Sequence, residues 1–303
     1  MAKLNVVLIL LSWFVLISCN PVTNNEVDQI KREYVILFGI DGLSPIGIQN
    51  ANTPVIDSLV AHGSWSMDAR AVSPTISSPN WASILNGTTP DKHGILTNSW
   101  LPGERTESEI KTEYGFFPTI FYEIKKENPS SRTAAVYHWN GLGNLIEDGM
   151  ADFSQHYSTS RQTVEAAAQL YTTLKPNLLY LHIDQVDAAL HRFGFLSDEY
   201  IHAVESADSD LGRLMFELKK LNLNQKIVII ITSDHGGKDF GHGGNSKEER
   251  EVPFIMAGMG IKQNYELKRI IHVHDIPVTI GSLLGLKPKN YHTGYPINDA
   301  IIN

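Results

Sequence analysis

Acidic residues recur in this sequence at points where a short apolar run has just ended. Asp41 follows the run YVILFGI, Asp184 or Asp187 follows LLYLHI, and Asp234 comes two residues after KIVIIIT. In open α/β sheets the carboxyl ends of parallel strands meet at one edge, so these acids are expected to converge there. Carboxylates held so close repel each other unless a cation lies among them. The pattern therefore predicts a metal site.

Histidines accompany these acids at spacings that suit shared ligation. His191 lies four residues after Asp187, which puts both on one face of a helical turn. His235 directly follows Asp234 at a strand end, and His242 lies in the glycine-rich loop KDFGHGGN, where the backbone bends freely. Mixed Asp and His ligands suit zinc, and manganese or another divalent ion less well. Roughly five or six donors exceed the needs of one tetrahedral zinc, so we expect two ions.

A hydroxyl-rich stretch could supply a nucleophile beside these ions. Residues 73–95 read SPTISSPNWASILNGTTPDKHGI, a loop that turns into a short helix ending at Gly87. Ser77 or Ser78 is at the predicted N-cap, just before Pro79 at the first helical position. Free backbone N–H groups and the positive end of the helix dipole can hold a phosphate or stabilise developing negative charge there. Taken alone, the pattern is also typical of an ordinary capped helix.

Length and composition indicate a packed globular chain. The 303 residues are enough for one large α/β domain or two small ones, and 42% are hydrophobic against 19% charged. The formal net charge of -8 is spread without long runs, so we expect no nucleic-acid polymer as a partner. The single cysteine, Cys19, excludes an intramolecular disulfide and a cysteine metal cage. Any metal must therefore be held by His, Asp, Glu or hydroxyl oxygen.

The first residues have the layout of an export signal. Lys3 precedes the apolar run 4–17, which is short for a membrane span, and the sequence LISC up to Cys19 resembles a bacterial lipobox. We expect residues 1–18 to be a lipoprotein signal peptide, Cys19 to carry the lipid, and residues 19–31 to be a polar tether. The protein would then be exported and membrane-anchored, on the periplasmic or cell-surface side. An uncleaved N-terminal anchor helix is the alternative.

The remaining pattern alternates strands with helices. Strands are predicted at Tyr34–Ile40, Thr133–His138, Leu178–Ile183, Lys226–Thr232 and Val252–Ala257, and helices at Pro54–His62, Phe117–Lys126, Gln162–Leu174, Asp198–Leu221 and Ile276–Leu284. Residues 97–115 are polar and irregular, as in a surface loop or lid. The alternation favours one α/β domain over residues 32–303, with a mostly parallel central sheet and helices on both faces.

The ordered set of motifs resembles the alkaline phosphatase superfamily, and within it the type I phosphodiesterase/nucleotide pyrophosphatase family. The motifs are Asp-Gly after the first strand, a hydroxyl before Pro-Asn, Asp-x3-His, Ser-Asp-His-Gly and His-Gly, and the likeness spans residues 33 to about 297. The resemblance implies an alkaline phosphatase-like fold and two zinc ions. One ion would be held by Asp41, Asp234, His235 and the nucleophile oxygen, and the other by Asp187, His191 and His242.

Within this resemblance, Ser77 matches the family nucleophile by its spacing to Pro79 and Asn80. Family members more often have Thr-Phe-Pro-Asn-His, so Trp81 here stands in place of His, and Ser78 and Thr75 are rival nucleophiles. Asn80 is expected to donate a hydrogen bond to a phosphoryl oxygen. The linker from Asp234 to His242 is shorter than in the nucleotide-cleaving members, which affects nucleotide recognition more than the chemistry.

These residues lead us to expect a zinc-dependent phosphodiesterase that acts on a small phosphate ester through a seryl-phosphate intermediate. A phosphomonoesterase is the first alternative, but it would need extra cationic contacts, for which Arg161 and Arg192 are the candidates. A sulfatase of the pattern Cys/Ser-x-Pro-x-Arg fits less well, because Trp81 stands where Arg is expected. A non-catalytic surface-binding lipoprotein is a further alternative. The natural substrate and the oligomeric state are left open.

Overall fold

A sheet of eight strands organises the computed structural model, which describes residues 32–104, 108–223 and 226–302. The strands within those ranges are β1 (Tyr34–Ile40), β2 (Gly63–Arg70), β3 (Thr133–Tyr137), β4 (Phe153–His156), β5 (Leu178–Ile183), β6 (Ile227–Thr232), β7 (Glu251–Gly258) and β8 (Tyr265–Glu266). Their order across the sheet is β4-β3-β5-β1-β6-β7-β2-β8. β7 runs antiparallel to both its neighbours, and the other pairs are parallel. The predicted mostly parallel sheet is confirmed.

Ten α-helices and two short 3-10 helices connect the described strands. The α-helices are α1 (Pro45–Asn50), α2 (Pro54–Ala61), α3 (Ser77–Asn86), α4 (Pro90–His93), α5 (Ile120–Glu127), α6 (Ser160–Thr173), α7 (Gln185–Phe193), α8 (Asp198–Lys220), α9 (Lys247–Arg250) and α10 (Asp275–Leu283). The 3-10 helices are Asn140–Leu145 and Asn298–Ala300. Arg32–Asn303 forms one compact unit, in agreement with the predicted single α/β domain.

Helices cover both faces of the sheet, and each face has its own apolar core. On β1, Val35 and Leu37 face the core formed with α3, α5 and α10, whereas Ile36 and Phe38 face the core formed with α6, α7 and α8. Burial on both faces explains why the central strands read as continuous apolar runs. The same two layers allow side chains from α3 and α7 to approach one strand end from opposite faces.

The predicted strands and helices are present with small shifts at their ends, whereas three further strands were not predicted. β2 (GSWSMDAR) mixes polar and apolar residues, β4 is largely exposed at the edge of the sheet, and β8 has two residues. None of these strands is a continuous apolar run, so the criterion that identified the central strands does not detect them. Residues 97–104 and 108–115 have no helix or strand, as expected for the loop.

The predicted signal peptide (1–18), the lipidated Cys19 and the tether (19–31) lie outside the described residues. Among the helices of the described residues, none combines the length and apolar character needed to cross a membrane.

A buried acid away from the sheet edge gives a pH-dependent stability. Glu147 accepts hydrogen bonds from the Thr119 backbone N–H and hydroxyl, and burial raises its pKa to about 7 from 4.5. A raised folded-state pKa contributes stability that is complete below pH 4.5 and is lost as the pH rises through about 7. We therefore expect Glu147→Gln, which mimics the protonated acid, to gain thermal stability relative to wild type between pH 5 and pH 8. Thermal melts of both proteins across that range measure the difference in Tm. A difference that does not change with pH would contradict the raised pKa of Glu147.

Candidate metal centre and active site

Two adjacent parallel strands deliver the first two acids. β1 pairs with β6 in register from Tyr34 opposite Ile227 to Gly39 opposite Thr232, so Asp41 and Asp234 follow side by side. Both carboxylates are buried, and the Gly42 backbone N–H lies 3.5 Å from Asp234 Oδ1. The predicted convergence of strand-end acids therefore occurs, and it occurs away from bulk water.

Helix α7 brings the third acid from the opposite face of the sheet. It starts directly after β5, which is the other neighbour of β1, and it carries Asp187 and His191 one turn apart. Gly42 has a φ of 70°, and a Cβ on it would lie 2.9 Å from the Asp187 Cα. A glycine at this position permits both the left-handed turn and the close approach of α7.

The glycine-rich loop supplies His242. The backbones of Lys238 and Gly241 bond to each other in both directions, which forms a tight turn just before the histidine. The Thr75 hydroxyl accepts from the Gly243 N–H at 3.1 Å and donates to the Gly244 carbonyl at 2.8 Å. Thr75 thus fastens this loop to the segment that leads into α3.

These elements assemble two adjoining groups of ligand atoms. In the first, His235 Nε2 lies 3.4 Å from Asp41 Oδ1 and 3.2 Å from Asp234 Oδ2. In the second, the distances are 3.3 Å from His191 Nε2 to Asp187 Oδ2, 3.7 Å from His242 Nε2 to Asp187 Oδ1, and 3.1 Å between the two histidine Nε2 atoms. The stacked rings of His235 and His242, with centroids 3.6 Å apart, join the two groups.

Backbone carbonyls fix the orientation of all three imidazoles. The Nδ1 atoms lie 2.8 Å from Gly236 O for His235, 2.8 Å from Thr75 O for His242, and 3.1 Å from Phe240 O for His191. Each Nδ1 therefore donates its proton outward, which leaves the Nε2 lone pair directed into the cluster. This is the tautomer that metal-binding histidines adopt.

The cluster fits divalent cations because it leaves acceptors without donors. Within the described residues, Asp41 Oδ1, Asp187 Oδ1 and Asp234 Oδ2 are buried and have no hydrogen-bond partner. Burial raises the pKa of Asp41 and of Asp234 well above the usual range, and the neighbouring carboxylates raise both further. The carboxylates of Asp41, Asp184 and Asp187, whose oxygens lie within 4.8 Å of one another, repel each other unless protons or a cation lie between them.

Asp184, the alternative to Asp187 at the end of β5, also lies at this cluster. One of its carboxylate oxygens is within 4.8 Å of oxygens from Asp41 and Asp187. Burial raises the pKa of Asp184 to about 7, whereas the Asp187 hydrogen bond raises the pKa of His191 to about 9. Cation binding would displace these protons, so metal affinity should increase with pH.

Ser77 is the hydroxyl that the structure brings to the cluster. Its Oγ lies 3.5 Å from His235 Nε2, and it is the first residue of α3. The predicted N-cap is corrected: Ile76, one residue before Ser77 and two before Ser78, caps α3 without a side-chain hydrogen bond, and Pro79 is the third helical residue rather than the first. Of the first three helical residues, Pro79 has no N–H and the Ser78 N–H donates to Asn98 Oδ1, so within the described residues only the Ser77 N–H is left without an acceptor.

Asn80 does not take its predicted role. Its side chain is fully buried, with Oδ1 accepting from the Val72 N–H at 2.7 Å and Nδ2 donating to the carbonyls of Pro74 and Ile76 at 3.0 and 2.9 Å. These bonds hold the loop before α3 and leave no donor for a substrate. Asn80 is a structural residue that sets the position of Ser77.

Asn98 is an amide at the site that was not predicted. Its Oδ1 accepts from the Ser78 backbone N–H at 2.7 Å, and its Nδ2 donates to no group within the described residues. The side chain is thereby fixed at the N-terminus of α3, one residue from Ser77. Its sequence context, HGILTN after the turn of α4, gives no signal by itself.

Two further unpredicted side chains hold Asp41. The Trp81 indole N–H donates to Asp41 Oδ2 at 3.0 Å, and His182 Nε2 lies 3.1 Å from the same oxygen. Both donors act on Oδ2, which leaves Oδ1 directed at His235. Gly39 makes room for the indole, since a Cβ there would lie 2.5 Å from the Trp81 ring.

We expect Trp81→Phe to weaken zinc binding by about tenfold, since outer hydrogen bonds that orient a ligand contribute at that level. Competition with a fluorescent chelator measures the affinity. Trp100→Phe is the matched control, because the buried Trp100 Nε1 has no partner among the described residues. An unchanged zinc affinity in Trp81→Phe would contradict the role assigned to the indole.

Sequence comparison relates this chain to phosphodiester-cleaving enzymes. The sequence model described as type I phosphodiesterase/nucleotide pyrophosphatase matches residues 35–249. Human ectonucleotide pyrophosphatase/phosphodiesterase family member 1 is 29% identical over 216 residues, which are 66% of this chain and 23% of that protein. The chain therefore spans about a quarter of the length of this relative.

Solved structures share the fold at lower sequence identity. Murine ectonucleotide pyrophosphatase/phosphodiesterase 5, an inactive variant in complex with AMP, has a TM-score of 0.76 at 16% identity, covering 89% of this chain and 100% of that one. A 2-O GAG sulfatase has a TM-score of 0.72 at 14% identity, covering 89% of this chain and 74% of that one. At these identities the likeness concerns the fold alone.

Proposed function

The chain belongs to the type I phosphodiesterase/nucleotide pyrophosphatase family, and from that premise we propose that it hydrolyses phosphate diesters with Ser77 as nucleophile and two divalent cations, zinc first among them. The observation that carries the proposal is the 3.5 Å approach of Ser77 Oγ to His235 Nε2 beside buried carboxylate oxygens without donors. A hydroxyl beside unpaired anionic ligands is suited to metal-assisted nucleophilic attack.

Each half of the cluster would hold one cation. Asp41, Asp234 and His235 would bind the ion beside Ser77, and Asp187, His191 and His242 would bind the other. When bound, the cations supply Lewis-acid activation of the hydroxyl and stabilisation of charge on the phosphate oxygens. The Trp81 and His182 donors keep Asp41 in the orientation that this arrangement needs.

Ser77 would attack phosphorus as the bond from phosphorus to the leaving oxygen breaks, and the hydroxyl proton would end on the departing alcohol. The resulting seryl phosphate, which keeps the other ester group, would then be hydrolysed by water to release a phosphate monoester and restore the Ser77 hydroxyl. The Ser77 backbone N–H at the positive end of the α3 dipole and the Asn98 amide would orient the non-bridging oxygens and stabilise their charge. Asn98 takes over the function first assigned to Asn80, because its amide nitrogen is available and that of Asn80 is not.

Parallel assays of bis-p-nitrophenyl phosphate, p-nitrophenyl phosphate and p-nitrophenyl sulfate on zinc-loaded protein test the reaction class. We expect the diester to be cleaved with the highest kcat/KM. Preference for the monoester would instead identify a phosphomonoesterase, preference for the sulfate a sulfatase, and no turnover of any of the three a binding protein. The AMP complex of the murine relative supports nucleotides as the first natural substrates to assay.

We also propose that the enzyme acts outside the cytoplasm, anchored through a lipid on Cys19. The support is the sequence pattern of residues 1–19. Cys19→Ala should move the protein from the membrane fraction to the soluble fraction and abolish labelling by a fatty-acid probe. Retention of the label in that variant would exclude Cys19 as the attachment site.

A further inference from the structure

A polar cavity of about 380 Å³ lies beside the metal cluster and has no part in the reaction described above. It is bounded by His138 at the end of β3, the first turn of α6, Gln185 at the start of α7, and one face of α8. The α8 face consists of Ser206, Ser209, Asp210 and Arg213, which follow the i, i+3, i+4, i+7 spacing of a single helical stripe. Every residue that lines the cavity is of a polar or charged type.

The sequence keeps this volume open. The buried positions of α8 are mostly apolar, as at Val204, Leu211 and Leu214, whereas Ser206 and Ser209 are exposed on the neighbouring side of the helix. Serines at 206 and 209 place small hydroxyl groups in the stripe that faces α6. A larger apolar side chain at either position would fill the space.

Two arginine side chains, Arg161 and Arg213, place positive charge at the cavity. Arg161 Nε lies 3.0 Å from Glu165 Oε1, and Arg213 Nε lies 3.8 Å from Asp210 Oδ1. In both cases the recorded contact uses only Nε, so the terminal amino groups have no partner among the described residues. The buried Asp210 carboxylate lies between these two cations and interacts with both. A phosphate or carboxylate of the substrate would therefore have to bind through the open terminal amino groups, on the side of each guanidinium away from Asp210. The N-terminus of α6, a helix of 14 residues, adds a favourable dipole.

The cavity is within reach of a substrate bound at the metal cluster. Gln185 directly follows Asp184, which lies at the cluster. The His138 N–H donates to the His182 carbonyl, and His182 contacts Asp41. Since β3 and β1 are separated only by β5, the strand ends that carry His138 and Asp41 are about 10 Å apart at two strand spacings. A nucleoside-sized substituent spans that distance.

We propose that this cavity is a subsite for a second anionic group of the substrate, a phosphate or carboxylate carried on the substituent of the scissile phosphate. The inference rests on the proposed phosphodiesterase function, which it deepens by specifying a substrate class. The enzyme would prefer diesters or pyrophosphates that carry such a distal anion over neutral analogues of the same size. Arg161, considered above as a contact for the reacting phosphate, would act on this distal group instead.

Calorimetric binding to zinc-loaded protein tests the subsite without requiring turnover. The probes are AMP and two compounds that each add one phosphate to it, adenosine 2′,5′-bisphosphate and adenosine 3′,5′-bisphosphate. We expect at least one bisphosphate to bind about tenfold more tightly than AMP, the scale of one charge-assisted contact. Arg161→Ala combined with Arg213→Ala should abolish that advantage and leave AMP affinity unchanged. These side chains are 63% and 50% exposed, so the fold should be retained.

Lys219→Ala, on an exposed position of the same helix, is the control and should keep the advantage. The subsite is overturned if neither bisphosphate binds the wild type more tightly than AMP does, or if the tighter binding of a bisphosphate survives in the double variant. Hydrolysis of bis-p-nitrophenyl phosphate by the wild type separates the two proposals. Active protein without a bisphosphate advantage would overturn the subsite alone, whereas a zinc-loaded protein without activity would overturn the proposed function.

Discussion

Ser77→Ala is expected to lower kcat for bis-p-nitrophenyl phosphate on the order of 10⁶-fold, the scale that removal of a nucleophilic serine produces in a hydrolase. The alanine removes the hydroxyl that lies 3.5 Å from His235 Nε2, while the carboxylates and imidazoles of the cluster remain. Zinc content should therefore stay near two ions per chain. Steady-state kinetics and elemental analysis of the same preparation measure both quantities.

The rival hydroxyls provide the controls for this variant. Thr75 Oγ1 is held by the backbone of Gly243 and Gly244, so Thr75→Val, which removes the hydroxyl and keeps the shape of the side chain, should retain measurable turnover. Ser78→Ala should also retain most of the activity, because Ser78 contacts Asn98 through its backbone N–H, which alanine keeps. Normal turnover in Ser77→Ala, together with a collapse in Ser78→Ala, would assign the nucleophile to Ser78.

Asp234→Asn is expected to produce the second large effect, the loss of one zinc ion and a decrease in kcat/KM of about 10³-fold or more. The amide has the shape of the carboxylate but not its charge, and Asp234 Oδ2 is one of the acceptors left without a donor. Zinc titration followed by calorimetry counts the ions. His242→Ala should likewise remove the ion of the other group.

A stability measurement distinguishes loss of a ligand from loss of structure. Because burial raises the pKa of Asp234 well above the usual range, the metal-free protein holds this acid at an energetic cost at neutral pH. Metal-free Asp234→Asn should therefore melt at or above the temperature of the metal-free wild type. Asp208→Asn is the control, since Asp208 is also a partly buried acid but bonds to the N–H groups of Val55 and Ile56 on α2. A lower melting point for metal-free Asp234→Asn would indicate a structural defect.

The sequence was sufficient to predict the acids and histidines of the cluster because their positions follow from topology. Apolar runs that end in Asp41 and Asp234 define parallel strands, and parallel strands deliver whatever follows them to one edge. The spacing of Asp187 and His191 required only that a helix start there. These predictions needed no knowledge of side-chain partners, and the structure brings the residues together.

The failures concern hydrogen-bond partners, which tertiary structure decides. An amide near the nucleophile was predicted, but Asn80 is committed to the preceding loop and Asn98, 18 residues later, is the available one. His182 reads as one more residue of a buried strand, although its ring contacts Asp41. Family members more often have His at the position of Trp81, and here the Trp81 N–H donates to the Asp41 carboxylate.

The proposed reaction requires two cations at this edge of the sheet that act on Ser77. Anomalous diffraction from crystals of the zinc-loaded, active enzyme would locate them. We expect two zinc peaks, one coordinated by Asp41, Asp234 and His235 near the Ser77 hydroxyl, and one coordinated by Asp187, His191 and His242. Active enzyme whose crystals have no zinc peak among these residues, or peaks only elsewhere, would contradict it.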